Sequence, residues 1–247
     1  MSRLNSMSAP RLLGVVVALH GEAKPLLRHY ADLIGARSDP TGLLLEITGM
    51  GAGPASAGAR RLVKAGVAGL LSWGTAAGLA PELPPGALIL PPIVMESDQR
   101  QFSADAEWHR RVARLVRRWT DPVIAPLADS GGLLSGPDEK RALYQRTGAG
   151  CADMESAAVA AVAAEAGIPF LSVRAIVDPA EGRLPGCVTR AVDTHGQLQL
   201  AGLLRSAAVR PGDWLHLVRL ARWFEAARRT LMRVALEAKP QLLGFTP

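Results

Sequence analysis

The sequence contains little that would support a disulfide framework or a metal site. Two of its 247 residues are cysteines, and aromatic residues make up 4% of the chain. Cys151 and Cys187 have no second cysteine or histidine nearby at the spacing of metal ligands. Disulfide frameworks and zinc sites need such neighbours, so we expect two packed thiols, no metal and no cofactor.

Long apolar runs are also absent. The longest, LLGVVVAL and GALILPPIVM, are far shorter than the roughly 20 residues that a membrane-spanning helix needs. The first ten residues have no extended apolar stretch behind Arg3, so no signal peptide is predicted. These absences favour a cytoplasmic protein.

Apolar and basic residues are plentiful. Hydrophobic residues make up 49% of the chain and charged residues 20%, which is enough for one large core. The formal net charge of +6 favours anionic partners such as phosphate, nucleic acid or an anionic membrane surface. The arginine-rich segment 108–119 has few interleaved aromatic residues, so no nucleic-acid partner is expected.

Short segments rich in Val, Ile and Leu alternate with helical patterns. The predicted strands are 12–19, 43–50, 69–72, 87–94 and 170–177, and the predicted helices are 22–33, 54–65, 104–119, 138–146 and 153–166. This alternation predicts an α/β fold with a central, mostly parallel or mixed sheet flanked by helices. We expect one domain over 11–210 and a C-terminal amphipathic helical tail over 211–247.

Polar or small residues follow three of the predicted strands. HGE, with Glu22, follows the first strand; GTAAG, from Gly74 to Gly78, follows the third; and DPAE, with Asp178, follows the last. Ligands of such sheets bind at the carboxyl ends of strands, so these stretches are expected on one rim. A structural explanation also exists for two of them, since Glu22 can balance a helix dipole and GTAAG can be a tight turn.

Glycines 49, 51 and 53 precede a helix in GMGAGPASAG. Closely spaced glycines let the backbone turn tightly and present N–H groups to an anion or a sugar. The third glycine of a dinucleotide fingerprint is missing and no Gly-Lys-Ser/Thr follows. Neither a Rossmann fingerprint nor a P-loop is therefore predicted.

Carboxylates stand at both ends of the unit 150–178. Asp153 is predicted to cap a helix, which places Met154 and Glu155 in the first helical turn. Asp178 ends the following strand, just before Pro179. Capping and the helix dipole suffice to explain the first acids, whereas an acid at the carboxyl end of a buried strand is placed to face a ligand.

Three of these motifs together resemble the nucleoside phosphorylase and nucleosidase superfamily. They are GMGAGPASAGARRLV, GTAAGLAPELPPGALIL and ADMESAAVAAVAAEAGIPFLSVRAIVDPAE, within 13–181. The closest catalytic pattern is that of the methylthioadenosine/S-adenosylhomocysteine nucleosidases. The resemblance implies a three-layer phosphorylase/hydrolase-like fold and a homodimer. The sequence from DPAEGRLPG onward resembles the hopanoid-associated branch, whose members are implicated in removing adenine from adenosylhopane to give ribosylhopane or its phosphate.

The resemblance implies a role for each acid. Met154 would pack on the ribose, and Glu155 would accept hydrogen bonds from its hydroxyls. Asp178 would protonate N7 of the departing adenine, and Glu22 would activate water. Cleavage of an N-glycosidic bond needs a protonated base, a stabilised oxocarbenium-like sugar and an oriented nucleophile, so the roles suit the chemistry. The other residues implied to bind substrate are Thr75, Ala76, Gly78, Leu134 and Asp153.

The chain departs from the superfamily pattern at several of these places. Val177 stands where a serine often precedes the catalytic aspartate. In the base-stacking segment SGGLLSGPDEKRAL, Leu134 replaces an aromatic residue and Gly132 replaces an acid. Thr75 replaces a serine and keeps its hydroxyl.

Water and phosphate remain alternative nucleophiles. Bacterial phosphorylases of the superfamily place an arginine shortly before the Gly-Ser/Thr of the third motif, where this chain has Ser72. Inorganic phosphate as a co-substrate would depend on Gly49, Gly51 and Arg60. Glu22 would repel a phosphate dianion, so hydrolysis is favoured.

The segment 213–236 is predicted to be an amphipathic helix. At about 100° per residue, one face carries Leu217, Leu220, Trp223, Phe224, Ala227, Leu231 and Val234, and arginines share another. Such a helix either packs on its own domain or a dimer partner, or lies on an anionic membrane surface, here the inner face of the cytoplasmic membrane.

Three functions stay open. The preferred one is cleavage of a lipid-linked adenine nucleoside. The second is a methylthioadenosine/S-adenosylhomocysteine nucleosidase or a purine nucleoside phosphorylase acting on a small adenine nucleoside. The third is a catalytically silent nucleoside-binding or membrane-adaptor protein.

Overall fold

A mixed nine-stranded sheet positions the candidate site. The computed structural model describes residues 12–35, 42–98, 100–184 and 214–238, with the backbone alone for 214–216. The strands are β1 (Leu13–Val17), β2 (Leu43–Ile47), β3 (Gly69–Gly78), β4 (Leu88–Ile89), β5 (Ile93–Met95), β6 (Gln101–Ser103), β7 (Leu127–Asp129), β8 (Cys151–Asp153) and β9 (Phe170–Asp178). The helices are α1 (His20–His29), α2 (Ala52–Lys64), α3 (Ala106–Val116), α4 (Pro137–Thr147), α5 (Ser156–Ala166) and α6 (Trp214–Glu237).

The sheet has a parallel half and a mixed half that meet at β3. Its order is β2-β1-β3-β8-β7-β5-β6, and β9 pairs with β3 and β4. Strands β2, β1, β3 and β9 are mutually parallel, whereas β8 joins the end of β3 in the antiparallel sense. The predicted α/β fold with a mixed sheet flanked by helices is confirmed.

Alternate residues of the central strands face two separate cores. In β1, Val15 and Val17 join a core with α1, α3 and α6, whereas Val16 joins a core with α2 and α5. This division follows from the two-residue period of a strand. Both faces of β1 are buried, which explains why its sequence is continuously apolar.

The prediction that the third strand breaks at Gly74 is wrong. Residues 74–78 continue β3, pairing with β9 up to Ala77 and with β8 at Ala77 and Gly78. Small side chains fit there because this part of the strand lies within the sheet, and Ala76 is buried. The predicted strand 87–94 is in turn divided into β4 and β5, because Pro91 and Pro92 cannot donate to a ladder.

Helix α6 packs on the sheet through its C-terminal half. Ala227, Leu231 and Val234 are inaccessible to solvent and belong to the core that contains α1. The Tyr30 hydroxyl donates to the carbonyl of Ala235 at 3.0 Å, and the Thr230 hydroxyl donates to the carbonyl of Gly86 at 2.7 Å. Packing on the domain is therefore the alternative found for this half of the helix.

The division of the chain at 210/211 stays a prediction, since residues 185–213 lie outside the described ones. Cys187 lies there too, whereas Cys151 is buried in β8. Within the described part of the chain, no helix combines the length and the apolarity needed to cross a membrane.

Candidate active site

The carboxyl ends of the parallel strands bring together the acids singled out in the sequence. Glu22 lies in the first turn of α1, directly after β1. In the register of β3 and β9, Thr75 lies opposite Ala175 and Ala77 lies opposite Asp178. Glu155 follows β8 and immediately precedes α5.

Glu22 is held by the backbone and hydroxyl of Thr75. Its Oε1 accepts from the Thr75 N–H at 2.8 Å and from the Thr75 hydroxyl at 2.5 Å, and its Oε2 accepts from the Leu19 N–H at 3.2 Å. A Cβ at Gly74 would lie 3.0 Å from Oε2, so this side of the carboxylate needs a glycine. Burial raises the pKa of Glu22, against the lowering effect of the Thr75 hydrogen bonds.

Glu155 is held by the glycine-rich turn before α2. Its Oε1 accepts from the Gly51 N–H at 2.6 Å, and Gly51 has φ 100°, a backbone conformation that favours glycine. Burial, followed by the charge of Asp153, raises the pKa of Glu155 to about 8.

Arg174, in β9, is a site residue that the sequence analysis missed. Its Nε donates to Asp153 Oδ2 at 2.6 Å, and its Nη2 donates to the hydroxyls of Ser72 and Ser156 at 2.5 and 2.7 Å. Arg174 and Asp153 form an ion pair in which both side chains are almost fully buried. An arginine inside an otherwise apolar strand was the available signal, because a buried guanidinium needs a carboxylate partner.

The start of α5 differs from the prediction. The helix begins at Ser156, so Met154 and Glu155 lie in the turn before it and not in its first helical turn. Asp153 still binds the free backbone N–H groups of this turn, since its Oδ1 accepts from the N–H groups of Glu155 and Ser156 at 3.2 and 3.0 Å. Its Oδ2 accepts from Nε of Arg174, so the two oxygens of Asp153 serve the turn and the ion pair separately.

A small cavity lies between these groups. It is lined by Val16, Ala18, Glu22, Ser72, Trp73, Gly74, Thr75, Glu155 and Arg174. Two carboxylates and one guanidinium therefore face a shared space beside a threonine hydroxyl. Such a set can orient a small polar molecule and accept a proton from it.

Asp178 does not line this cavity and forms a separate, buried ion pair. Its Oδ2 is 2.5 Å from Nζ of Lys140, a residue of α4 that the sequence analysis also missed. Its Oδ1 is buried and has no hydrogen-bond partner among the described residues. Burial raises the pKa of Asp178, opposed by the neighbouring Lys140.

The remaining predicted substrate-binding residues do not line the cavity of Glu22 and Glu155. Met154 is half-buried next to Glu155, and Gly78 lies where a Cβ would come within 3.3 Å of Ile176. The side chain of Ala76 packs in the core shared with α2 and α5. Leu134 is partly buried against a small apolar cluster that includes Leu79.

The residues predicted to bind phosphate do not come together in the structure. Arg60 pairs with Glu165 at 2.8 Å, and both side chains are more than half exposed. It lies nine residues beyond Gly51, about 13 Å along the axis of α2. The N–H of Gly49 donates to the carbonyl of Ala18 at 3.0 Å, and that of Gly51 is taken by Glu155.

Comparison with known families identifies the class of the chain. The model of the phosphorylase superfamily matches residues 13–206. The chain therefore belongs to the phosphorylase superfamily, as its motifs predicted. No curated protein matches the chain by sequence.

Solved structures of nucleosidases share the fold. A putative 5′-methylthioadenosine/S-adenosylhomocysteine nucleosidase from Francisella philomiragia is 16% identical with a TM-score of 0.70, over 95% of this chain and 100% of that one. The corresponding nucleosidase from Neisseria meningitidis, in complex with methylthio-immucillin-A, is 13% identical with a TM-score of 0.67, over 92% and 97%. Futalosine hydrolase of Helicobacter pylori is 13% identical with a TM-score of 0.63, over 92% and 97%. At these identities the likeness shows the fold.

Proposed function

We propose that the chain cleaves the N-glycosidic bond of an adenine nucleoside by hydrolysis. The observation that carries the proposal is the cavity that Glu22, Thr75, Glu155 and Arg174 share at the carboxyl end of the parallel strands. Among the described residues, no group of three or more His, Cys, Asp or Glu side chains could hold a metal ion. The proposed chemistry uses the carboxyl groups of Glu22 and Asp178.

In the proposed reaction, water attacks the anomeric carbon from the side of Glu22. Glu22 takes the proton of the water, the C1′–N9 bond breaks, and its electrons pass into the base. The base gains a proton at N7 from Asp178. The buried position of Glu22, which raises its pKa, suits a general base because a base is most effective when its pKa approaches the working pH.

Glu155 and Met154 are proposed to hold the ribose. In its ionised form Glu155 accepts hydrogen bonds from paired hydroxyls, and its charge stabilises an oxocarbenium-like sugar. The bond from the Gly51 N–H leaves Glu155 Oε2 with a weaker protein contact, 3.3 Å from the Met154 N–H. Asp153 is assigned a positioning role, because its oxygens already accept from Arg174, Ser156 and the turn.

The hydrogen bonds of Arg174 support water over phosphate as the nucleophile. A guanidinium does reach Ser72, the position of the phosphate-binding arginine in bacterial phosphorylases. However, Asp153, Val173, Ser72 and Ser156 engage four of its five N–H donors. A phosphate dianion would find this cation neutralised by Asp153 and would also face Glu22 and Glu155.

We further propose a particular substrate and a location for the protein. Solved structures that share the fold include 5′-methylthioadenosine/S-adenosylhomocysteine nucleosidases in complex with immucillins, which supports an adenine nucleoside. The resemblance of the C-terminal sequence to the hopanoid-associated branch supports adenosylhopane, with a homodimer on the cytoplasmic face of a membrane. The basic groove lined by Arg28, Arg228, Arg229, Met232, Arg233, Leu236 and Glu237 fits anionic headgroups by charge.

Release of adenine from a panel of nucleosides tests the proposal. Adenosine, methylthioadenosine, S-adenosylhomocysteine and adenosylhopane are each incubated with the purified chain, with and without phosphate. We expect adenine and a free sugar, at a rate independent of phosphate, and loss of release in Glu22→Gln. Glu165→Gln, a change at an exposed ion pair, serves as the control. Binding of every nucleoside without cleavage would instead support the silent binding protein.

A further inference from the structure

Lys140 contacts Asp178 and has no role in the reaction proposed above. Its side chain is inaccessible to solvent although it sits on the surface helix α4. Besides Asp178 Oδ2 at 2.5 Å, Nζ contacts the carbonyls of Pro179 and Gly182 at 2.8 and 2.9 Å. A lysine nitrogen that meets three oxygens in the interior is fully coordinated and has no donor left for solvent or substrate.

These contacts fix the carboxyl group at one of its two oxygens. Oδ2 is bound to Lys140, whereas Oδ1 is the buried oxygen without a partner among the described residues. A Cβ at position 182 would collide with Oδ1, so Gly182 is what allows the loop to lie against it. The loop itself is tied down, since the Gly182 N–H donates to the carbonyl of Pro179 and the Leu184 N–H donates to the carbonyl of Ser135.

We propose that Lys140 is the positioning residue of Asp178, holding its carboxyl group through Oδ2 in the orientation in which it serves the departing base. The inference rests on the proposed function, because it needs Asp178 to act on a leaving group. It accounts for Val177, since the missing serine of the superfamily pattern is replaced as a partner of Asp178 by a lysine from a different element. Through its contacts with the carbonyls of Pro179 and Gly182, Lys140 also connects α4 to the loop 179–184.

The ammonium has a second effect on Asp178 besides its position. A cation at this distance favours the ionised carboxylate, whereas burial favours the protonated acid. The other charged groups near the pair are Glu139 and Glu181, beside Lys140, and Arg219 of α6, near Asp178. Removing the cation of Lys140 while leaving these groups in place moves the titration of Asp178 to higher pH.

The pH profile of base release tests the assignment. In the proposed reaction Asp178 must carry a proton, so kcat/KM falls on the alkaline side as Asp178 ionises. In Lys140→Met this alkaline limb is expected to move upward by about 1–3 pH units, with kcat reduced at every pH. Lys140→Arg keeps the cation and is expected to keep the limb, at a lower kcat. Arg141→Met removes an exposed charge from the next position of α4 and is the matched control.

A measurement that does not depend on activity separates the two proposals. The chain has four lysines, so ¹⁵N-lysine labelling yields a simple spectrum. The side-chain signal of Lys140 is expected to be protected from solvent exchange in the wild type and to shift in Asp178→Asn, a comparison that holds even if Lys140→Met fails to fold. An unchanged signal in Asp178→Asn, or an unmoved alkaline limb in Lys140→Met, would overturn the assignment. A wild type that releases no base would overturn the proposed function and, with it, the catalytic use of the pair.

Discussion

Glu22 and Asp178 are buried and Glu155 is partly buried, and the three acids are held by different kinds of partner. Glu22 accepts from Thr75, Glu155 accepts from a glycine N–H, and Asp178 pairs with a lysine. Their place at strand ends made these acids predictable from the sequence. Their partners were not predictable, because Thr75, Gly51 and Lys140 come from other elements and a single sequence does not show which groups meet in the interior.

Asp178→Asn tests the proposed proton donor. The amide keeps the shape of the carboxyl group but cannot supply the proton, so kcat for base release is expected to fall by about 10²–10⁴-fold. Asp138→Asn, at a side chain that is 88% exposed in the nearby helix α4, is the matched control and should keep wild-type kinetics. Activity of Asp178→Asn within a few-fold of the wild type would remove Asp178 from the mechanism.

The carboxyl group of Glu155 is expected to make the stability of the folded chain depend on pH. Its pKa is raised from 4.5 to about 8 by burial and by Asp153, so the folded chain binds this proton more tightly than the unfolded chain does. Its contribution to stability is fully present below pH 4.5 and is lost as the pH rises towards and through 8. The Tm of the wild type should therefore fall over this range relative to that of Glu155→Gln. Parallel Tm curves for the two proteins would contradict the shift.

At the scale of elements, local backbone chemistry decides where segments turn. Gly51 takes φ 100° to present its N–H to Glu155, which the spacing of the glycines indicated without naming the acceptor. The five small residues from Gly74 to Gly78 were wrongly predicted to follow the third strand. Such residues are typical of turns, yet here they form the buried end of β3, where pairing with β8 and β9 outweighs local preference.

Gly51→Ala and Gly53→Ala form a matched pair at the start of α2. A Cβ meets no atom within 4 Å at either position, so the two differ in backbone conformation. Gly51→Ala is expected to lower the free energy of unfolding by about 1–3 kcal/mol because alanine rarely adopts this conformation. Gly53→Ala lies in the helix and should leave stability unchanged or raise it by up to about 1 kcal/mol. Equal effects in urea denaturation would contradict the role given to Gly51.

A second matched pair of variants tests the packing of helix α6 on the sheet. Leu231 is fully buried and Leu236 is 57% exposed in the same helix. Leu231→Ala is expected to cost about 2–5 kcal/mol of unfolding free energy, and Leu236→Ala about 0.5 kcal/mol or less. Equal and small losses for the two variants in urea denaturation would show that the helix does not belong to the core.

For the whole molecule, the alternation of strands and helices was sufficient to predict the fold class, and the three motifs were sufficient to predict the superfamily. It was not sufficient for the mixed half of the sheet, because β6, β7 and β8 are three residues each and carry little periodic signal. The net charge of +6 is likewise a property of the whole chain. The structure gathers part of it in the groove beside α1 and α6.

Sedimentation with anionic vesicles tests the proposed membrane surface. The intact chain is expected to sediment with phosphatidylglycerol vesicles, and less so as salt rises, because screening weakens the arginine contribution. Arg229→Glu with Arg233→Glu should abolish sedimentation. The control is Arg61→Glu with Lys64→Glu, the same change of charge in α2, whose core lies on the other face of the sheet. Equal sedimentation of both double variants would contradict a specific surface.

The central claim is that the cavity between Glu22, Glu155 and Arg174 directs water to the sugar. The most direct measurement is the fate of oxygen when the wild type cleaves an adenine nucleoside in H₂¹⁸O containing phosphate. The account predicts one ¹⁸O at the anomeric carbon of a free sugar, formed at a rate that phosphate does not change, and none formed by Glu22→Gln. A sugar 1-phosphate that carries no ¹⁸O at that carbon would contradict it.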